Sequence, residues 1–151
     1  MTTRKLSLRF ALFIYLGIVV FFLIMKVLGL ESFTELRVFN FVIVLYGLYF
    51  LVRKNMDLHG TDYFENLFIA FRTSALSILF TIISLILYLS WIDPAFMRVL
   101  EGSLLWGRDL SVIQVAMAIG VEGLASSFIL AFMVMQYMKN YVARPTLFNG
   151  H

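Results

Sequence analysis

Four apolar runs, at about residues 10–30, 36–52, 64–92 and 110–138, constrain this chain more than anything else in it. A helix needs roughly 20 mostly apolar residues to cross the hydrocarbon core of a bilayer, whereas a spanning strand needs only about 9–11. Backbone polar groups at that depth must be satisfied within the segment, and runs of this length do so as helices. The expectation is therefore an all-α integral membrane bundle of four transmembrane helices, one domain over residues 1–151 with no room for a separate soluble module. Composition agrees: 62% of the residues are hydrophobic and 14% charged, against about 45–50% apolar in soluble domains.

The charged residues sit at the edges of these runs. A net charge of +3 spread this way marks membrane topology and not a nucleic-acid stripe, so no nucleic-acid partner is expected. The absence of cysteine removes disulfides, thiol catalysis and thiolate metal ligands together. The first run exceeds the 7–15 residues of a signal-peptide core, so it is expected to stay as a span. Arg4, Lys5 and Arg9 form a basic leader before it, and Lys26 near its far end is expected to snorkel to the headgroups.

Gly29 predicts a helix stop, with Ser32 or Thr34 as the next N-cap. Asn40 reads as an interfacial residue. Residues 53–61, RKNMDLHGT, read as a polar loop in which His59 is solvated and not a metal ligand. Asp62, with Glu65 three positions on, predicts the start of the third helix. Along that helix Thr73, Ser77, Thr81, Ser84 and Tyr88 recur at three- or four-residue spacing, which puts them on one face. Hydroxyl residues spaced so let helices approach and hydrogen-bond across the gap, and the face is expected to meet a protein helix. A hydrated pathway is the sharper alternative.

Asp93-Pro94 is a helix-start pair. The segment after it, residues 95–110, mixes apolar side chains with Arg98, Glu101, Arg108 and Asp109, and predicts a short helix in the membrane interface; docking on a partner protein competes with that reading. In the fourth run Gly123, Ser127 and Ala131 form a small-xxx-small row that favours close helix contact. On an adjacent small face, among Ala118, Ala125 and Ser126, stands Glu122.

Glu122 is the one carboxylic acid in the middle of an apolar run. An acid at bilayer depth costs about 2.5–3.5 kcal/mol or more, so it is expected to be neutral, hydrogen-bonded in a bundle, or functional. With no cation near it in sequence, it is expected to be largely neutral and to meet the hydroxyl stripe between Thr81 and Tyr88; a partner that brings it a cation is the alternative. Arg4, Lys5, Arg9, Arg53, Lys54, Arg72, Lys139 and Arg144 fall on the side of the termini, and Lys26, Arg37, Arg98 and Arg108 on the other. The positive-inside bias then puts both termini in the cytoplasm.

The stretch YFENLFIAF, the aromatic and Ser-rich third run, IDPAFMRVLE after it and the Gly-x-x-Ser spacing of Gly123 and Ser126 together resemble a four-helix membrane family known mainly from Bacteroidota and of unknown function. The resemblance spans about two-thirds of the chain and implies a four-span fold in a bacterial inner membrane. It carries over no functional residues, and Glu122 is not part of it.

Two functions follow as expectations. The first is a non-enzymatic subunit or accessory protein packed among other integral membrane proteins. The second is a homo-oligomeric proton or cation channel or transporter using Glu122. An enzyme is not expected, for want of a His-rich metal cluster, an HExxH motif, a nucleophile with a base or a phosphate-cradling glycine loop. Nor is any cofactor or metal.

Overall fold

The computed structural model describes residues 2–30, 33–60, 62–103 and 109–142. The order is α1 (Thr3–Val27), a 3-10 turn (Thr34–Arg37), α2 (Val38–His59), α3 (Tyr63–Leu87) continuing as a π-turn (Tyr88–Ile92), α4 (Phe96–Ser103) and α5 (Val112–Val142). Four of these helical stretches are long and apolar enough to cross a membrane: Thr3–Val27, Glu35–His59, Tyr63–Ile92 and Val112–Lys139. The protein is an all-α bundle of the multi-pass membrane type. α3 packs most extensively on α5 and α1, and α2 on α1 and α5.

Local chemistry sets the helix ends. α1 closes at Gly29, whose φ of 68° lies in the left-handed region; Gly29 N–H donates to the Lys26 carbonyl and Leu30 N–H to that of Met25. That bonding pattern is a Schellman stop, as the glycine predicted. α2 enters through the 3-10 turn, whose N-cap position is Phe33 with no side-chain cap; the expected caps, the Thr34 side chain and Ser32, lie outside the described residues. Asp62 caps α3, accepting from the N–H groups of Phe64 and Glu65 at 2.9 and 3.1 Å. α5 begins with a reciprocal capping box: Ser111 N–H donates to Gln114 Oε1 at 2.8 Å, and Gln114 N–H to Ser111 Oγ at 3.3 Å.

Two expectations are corrected. The basic leader is helical from Thr3, because Leu6 and Ser7 are fully buried there and the Ser7 and Thr73 hydroxyls lie 2.8 Å apart. The predicted loop after Val52 is helical as far as His59. Val52, Asn55 and Met56 turn inward at helical spacing while Arg53, Lys54 and Asp57 stay exposed. Its polarity was that of a helix's outer face, and the break comes only at Gly60, φ 113°.

The main core joins Leu6, Ile14, Leu48, Leu51, Ile69, Ala70, Met135 and Met138 at the end nearer the termini. A second, smaller core of Leu89, Phe96, Leu100 and Val115 closes the other end. α4 thus exists where a short helix was expected, and its apolar side docks on the bundle itself through Phe96 and Leu100. The rest of the expected interfacial segment, including Trp106 and Arg108, lies outside the described residues, as does Arg144.

Candidate functional site

Polar side chains gather at the end of the bundle away from the termini, in two charge pairs. The first joins Arg37, at the close of the 3-10 turn, to Glu122 of α5 at 3.8 Å. The acid, expected to have no cation near it in its own chain, therefore has one. Helical rise explains how two residues so far apart in sequence come level: at about 1.5 Å per residue, Glu122 stands roughly 25 Å from Lys139, and Arg37 roughly 24 Å from Arg53. That height is near the far edge of a hydrocarbon core about 30 Å thick. The acid lies midway along its own apolar run, in a helix of 31 residues that is longer than a span needs. The Glu122 side chain is 53% exposed and that of Arg37 31%, so the pair looks out from the side of the bundle.

Behind the pair, a cavity of about 110 Å³ runs inward between the helices. Arg37, Asn40, Thr81, Glu122 and Ser127 line it together with Ile18, Ile78 and Ile82. Its volume is enough for a few waters. Asn40 contributes a side-chain oxygen that is shut off from solvent and has no hydrogen-bond partner, so this asparagine belongs to the cavity and not to the interface where its shallow position suggested. Thr81 hydroxyl donates to the Ser77 carbonyl one turn back at 3.0 Å.

Of the hydroxyl stripe, only Thr81 shares the cavity with Glu122. Thr73 bonds Ser7, and the Ser84 hydroxyl lies 2.6 Å from that of Tyr15, so the stripe faces α1 at both ends of their contact. Ser77 is buried with its hydroxyl unpartnered. On α5, Ser127 and Ala131 are buried, and Gly123 sits in ordinary contact with Ile78 of α3. The tighter approach is at Gly120, where an added methyl would lie 2.5 Å from Ile82 Cδ1. Ser126 is half-buried and Ala125 exposed, beside Glu122 on the outer surface.

The second pair is Lys26 with Asp93, Nζ to Oδ2 at 2.8 Å. Lys26 also donates to the Tyr88 hydroxyl and lies 4.8 Å from the centre of its ring. The ammonium therefore ends in a fixed site and does not simply snorkel into the headgroups. The π-turn sets this geometry. Asp93 N–H donates to the Tyr88 carbonyl five residues back at 3.0 Å, and the next residue, Pro94, has no N–H with which to continue the helix. Asp93 uses its other oxygen to accept from Phe96 N–H at 3.2 Å, so one carboxylate both starts α4 and holds α1. The bonded ammonium holds Asp93 below the usual carboxylate value, opposed by partial desolvation. Phe22, Tyr88 and Phe96 pack edge-on around the pair, with centroids 5.3–6.0 Å apart.

Sequence reasoning missed a third polar cluster, at the opposite end. Asn55 donates to Asn66 Oδ1 at 2.9 Å, and Asn66 donates to the carbonyls of Gly60 and Asp62 at 3.2 and 2.7 Å. Both side chains are buried. The signal was the position of Asn55 between Val52 and Met56 on one helical face, hidden by its charged neighbours.

Chemically, the site sets the Glu122 carboxyl 3.8 Å from the Arg37 guanidinium, above a small and mostly apolar cavity into which Asn40, Thr81 and Ser127 bring polar groups. Among the described residues no group of three or more His, Asp or Glu converges as a metal site would. No known protein family, no curated protein and no solved structure matches this chain.

Proposed function

We propose that this protein is a non-enzymatic subunit or accessory protein of a larger inner-membrane complex in a bacterium, seated against its partners along the side of the bundle where Glu122 emerges. One observation carries the reading: a carboxylate paired with Arg37 lies half-exposed on the flank of the bundle, at a height where lipid tails would otherwise surround it. Ionised groups at such positions face protein or water. The surface around the carboxyl is built of Ala118, Ala125 and Ser126, small enough for a partner helix to come close.

The balance of basic residues supports both termini in the cytoplasm, eight cations on that side against four on the other by the positions given above. Reporter fusions at each terminus test this, and a periplasmic signal from either end defeats it.

A tagged pull-down from native membranes in mild detergent, read by mass spectrometry, tests the subunit reading. A stoichiometric membrane partner is expected, retained by the native chain and lost with Glu122→Gln, which removes the carboxylate from that flank of the bundle. Purification as a lone monodisperse monomer refutes it. The cavity below the pair favours a second reading, a homo-oligomeric proton or cation channel or transporter, in which a passing cation must compete with Arg37 for Glu122. Recovery only with copies of itself, and pH- or ion-dye flux in vesicles that Glu122→Gln abolishes, would support that one.

A further inference from the structure

At the end of the bundle nearer the termini, a groove of about 640 Å³ opens between α1 and α2. Arg9 and Phe13 line it from α1, Phe50, Arg53 and Lys54 from α2, with Phe10 and Asp57 at its margins. We propose that this groove binds an anionic glycerophospholipid, its phosphate among Arg9, Arg53 and Lys54 and an acyl chain along Phe13 and Phe50.

The order of side chains along the two helices carries the inference. Arg9 and Phe13 are four residues apart, and Phe50 stands three and four residues before Arg53 and Lys54, so on each helix the cation and the ring share a face one turn apart. The helices run in opposite directions, yet both place the cation outward and the ring toward the bilayer centre. This is the vertical order of a phospholipid, charge above and hydrocarbon below. The rings are open to receive it: Phe13 is 62% and Phe50 50% exposed. Three cations against the single carboxylate of Asp57 leave the groove positive, which matches a headgroup of net negative charge. A topological bias needs basic residues only somewhere near the span ends. It does not require cations from two helices to converge on one groove with rings beneath them.

The α1–α2 contact that makes the groove is tight, since Gly47 meets Ile14 and Gly17 meets Ile43, where an added methyl would lie 2.8 Å away. Both lipid-facing walls are therefore set by two closely packed helices. Basic pockets between spans at a membrane surface are the usual binding sites for anionic headgroups.

The test is native mass spectrometry with lipid titration of the full chain, released from nanodiscs of phosphatidylcholine doped with phosphatidylglycerol. The native protein should retain phosphatidylglycerol in preference to phosphatidylcholine, and Arg53→Gln with Lys54→Gln should weaken that binding about thirtyfold. Arg4→Gln with Lys5→Gln, which removes the same charge elsewhere, should leave it near the native level. Inorganic phosphate alone should not displace the lipid, because it lacks the chain that the rings hold. Equal retention of the two lipids, equal loss in both charge variants, or displacement by phosphate would each overturn the proposal. If the groove variant fails to fold, a photoactivatable phosphatidylglycerol on the native chain decides: crosslinks at residues 9–13 and 50–54 support the site, and crosslinks confined elsewhere overturn it.

Discussion

Replacing Gly47 with alanine should loosen the seam between α1 and α2. A methyl built on Gly47 overlaps Cγ1 of Ile14 and lies 2.8 Å from its Cδ1, whereas non-bonded carbons rest about 3.5–4.0 Å apart. Ile14 has nowhere to turn, being 1% exposed in the main core and β-branched, with one strongly favoured rotamer in a helix. Either the helices part by about 1 Å or the isoleucine leaves its rotamer, and overpacking of this kind costs about 1–3 kcal/mol. Alanine's better helix propensity returns up to about 1 kcal/mol. The net expectation is a destabilisation of about 1–2 kcal/mol, measured by SDS titration in mixed micelles with far-UV circular dichroism. Ile14→Ala alone empties a buried site at about 2–5 kcal/mol, but it should cost less in the Gly47→Ala background, since it removes the obstructing carbons; the two changes should couple by about 0.5–3 kcal/mol. Gly102→Ala, where nothing lies within 4 Å, is the control and should be neutral or mildly stabilising. A neutral Gly47→Ala, or strict additivity with Ile14→Ala, would refute the reasoning.

Asn66→Ala leaves the Asn55 amide and the Gly60 carbonyl without their Asn66 partner, and leaves the Asp62 carbonyl only the backbone N–H of residue 66, which should cost about 1–3 kcal/mol in the same titration. Amide exchange across residues 60–66 should quicken; unchanged protection there would show that the asparagine clamp does not hold the α2–α3 turn. The Lys26–Asp93 pair predicts a pH dependence of definite sign. The Asp93 carboxyl is held below its usual value in the folded protein, so its contribution is complete above the unfolded value of about 3.9 and fades as pH falls through the lower folded one. Resistance to unfolding should drop in that acid window, and Asp93→Asn should flatten the drop; an identical acid limb in the variant would rule this out.

The fold class was written in the length and composition of the apolar runs, because a bilayer leaves a long apolar segment only one way to satisfy its backbone. Caps and stops at Gly29 and Asp62 were equally legible, since they depend on neighbours a few residues away. The Ser111–Gln114 box was there to be read by the same rule. Residues 53–59 misled, because charges on a helix's outer face and charges in a loop look alike until the inward-facing Val52, Asn55 and Met56 are seen to have something to pack on. The polarity of Glu122, and the small residues beside it, were visible in sequence; its counter-ion was not. Arg37 stands far away in the chain, and only the parallel packing of α2 and α5, with the second helix overshooting the first, brings the two level. The same holds for Lys26 and Asp93, joined by the parallel run of α1 and α3 and the π-turn. Local bonding is encoded in local sequence, whereas a charge pair between distant helices depends on their relative tilt and register, which the whole bundle decides.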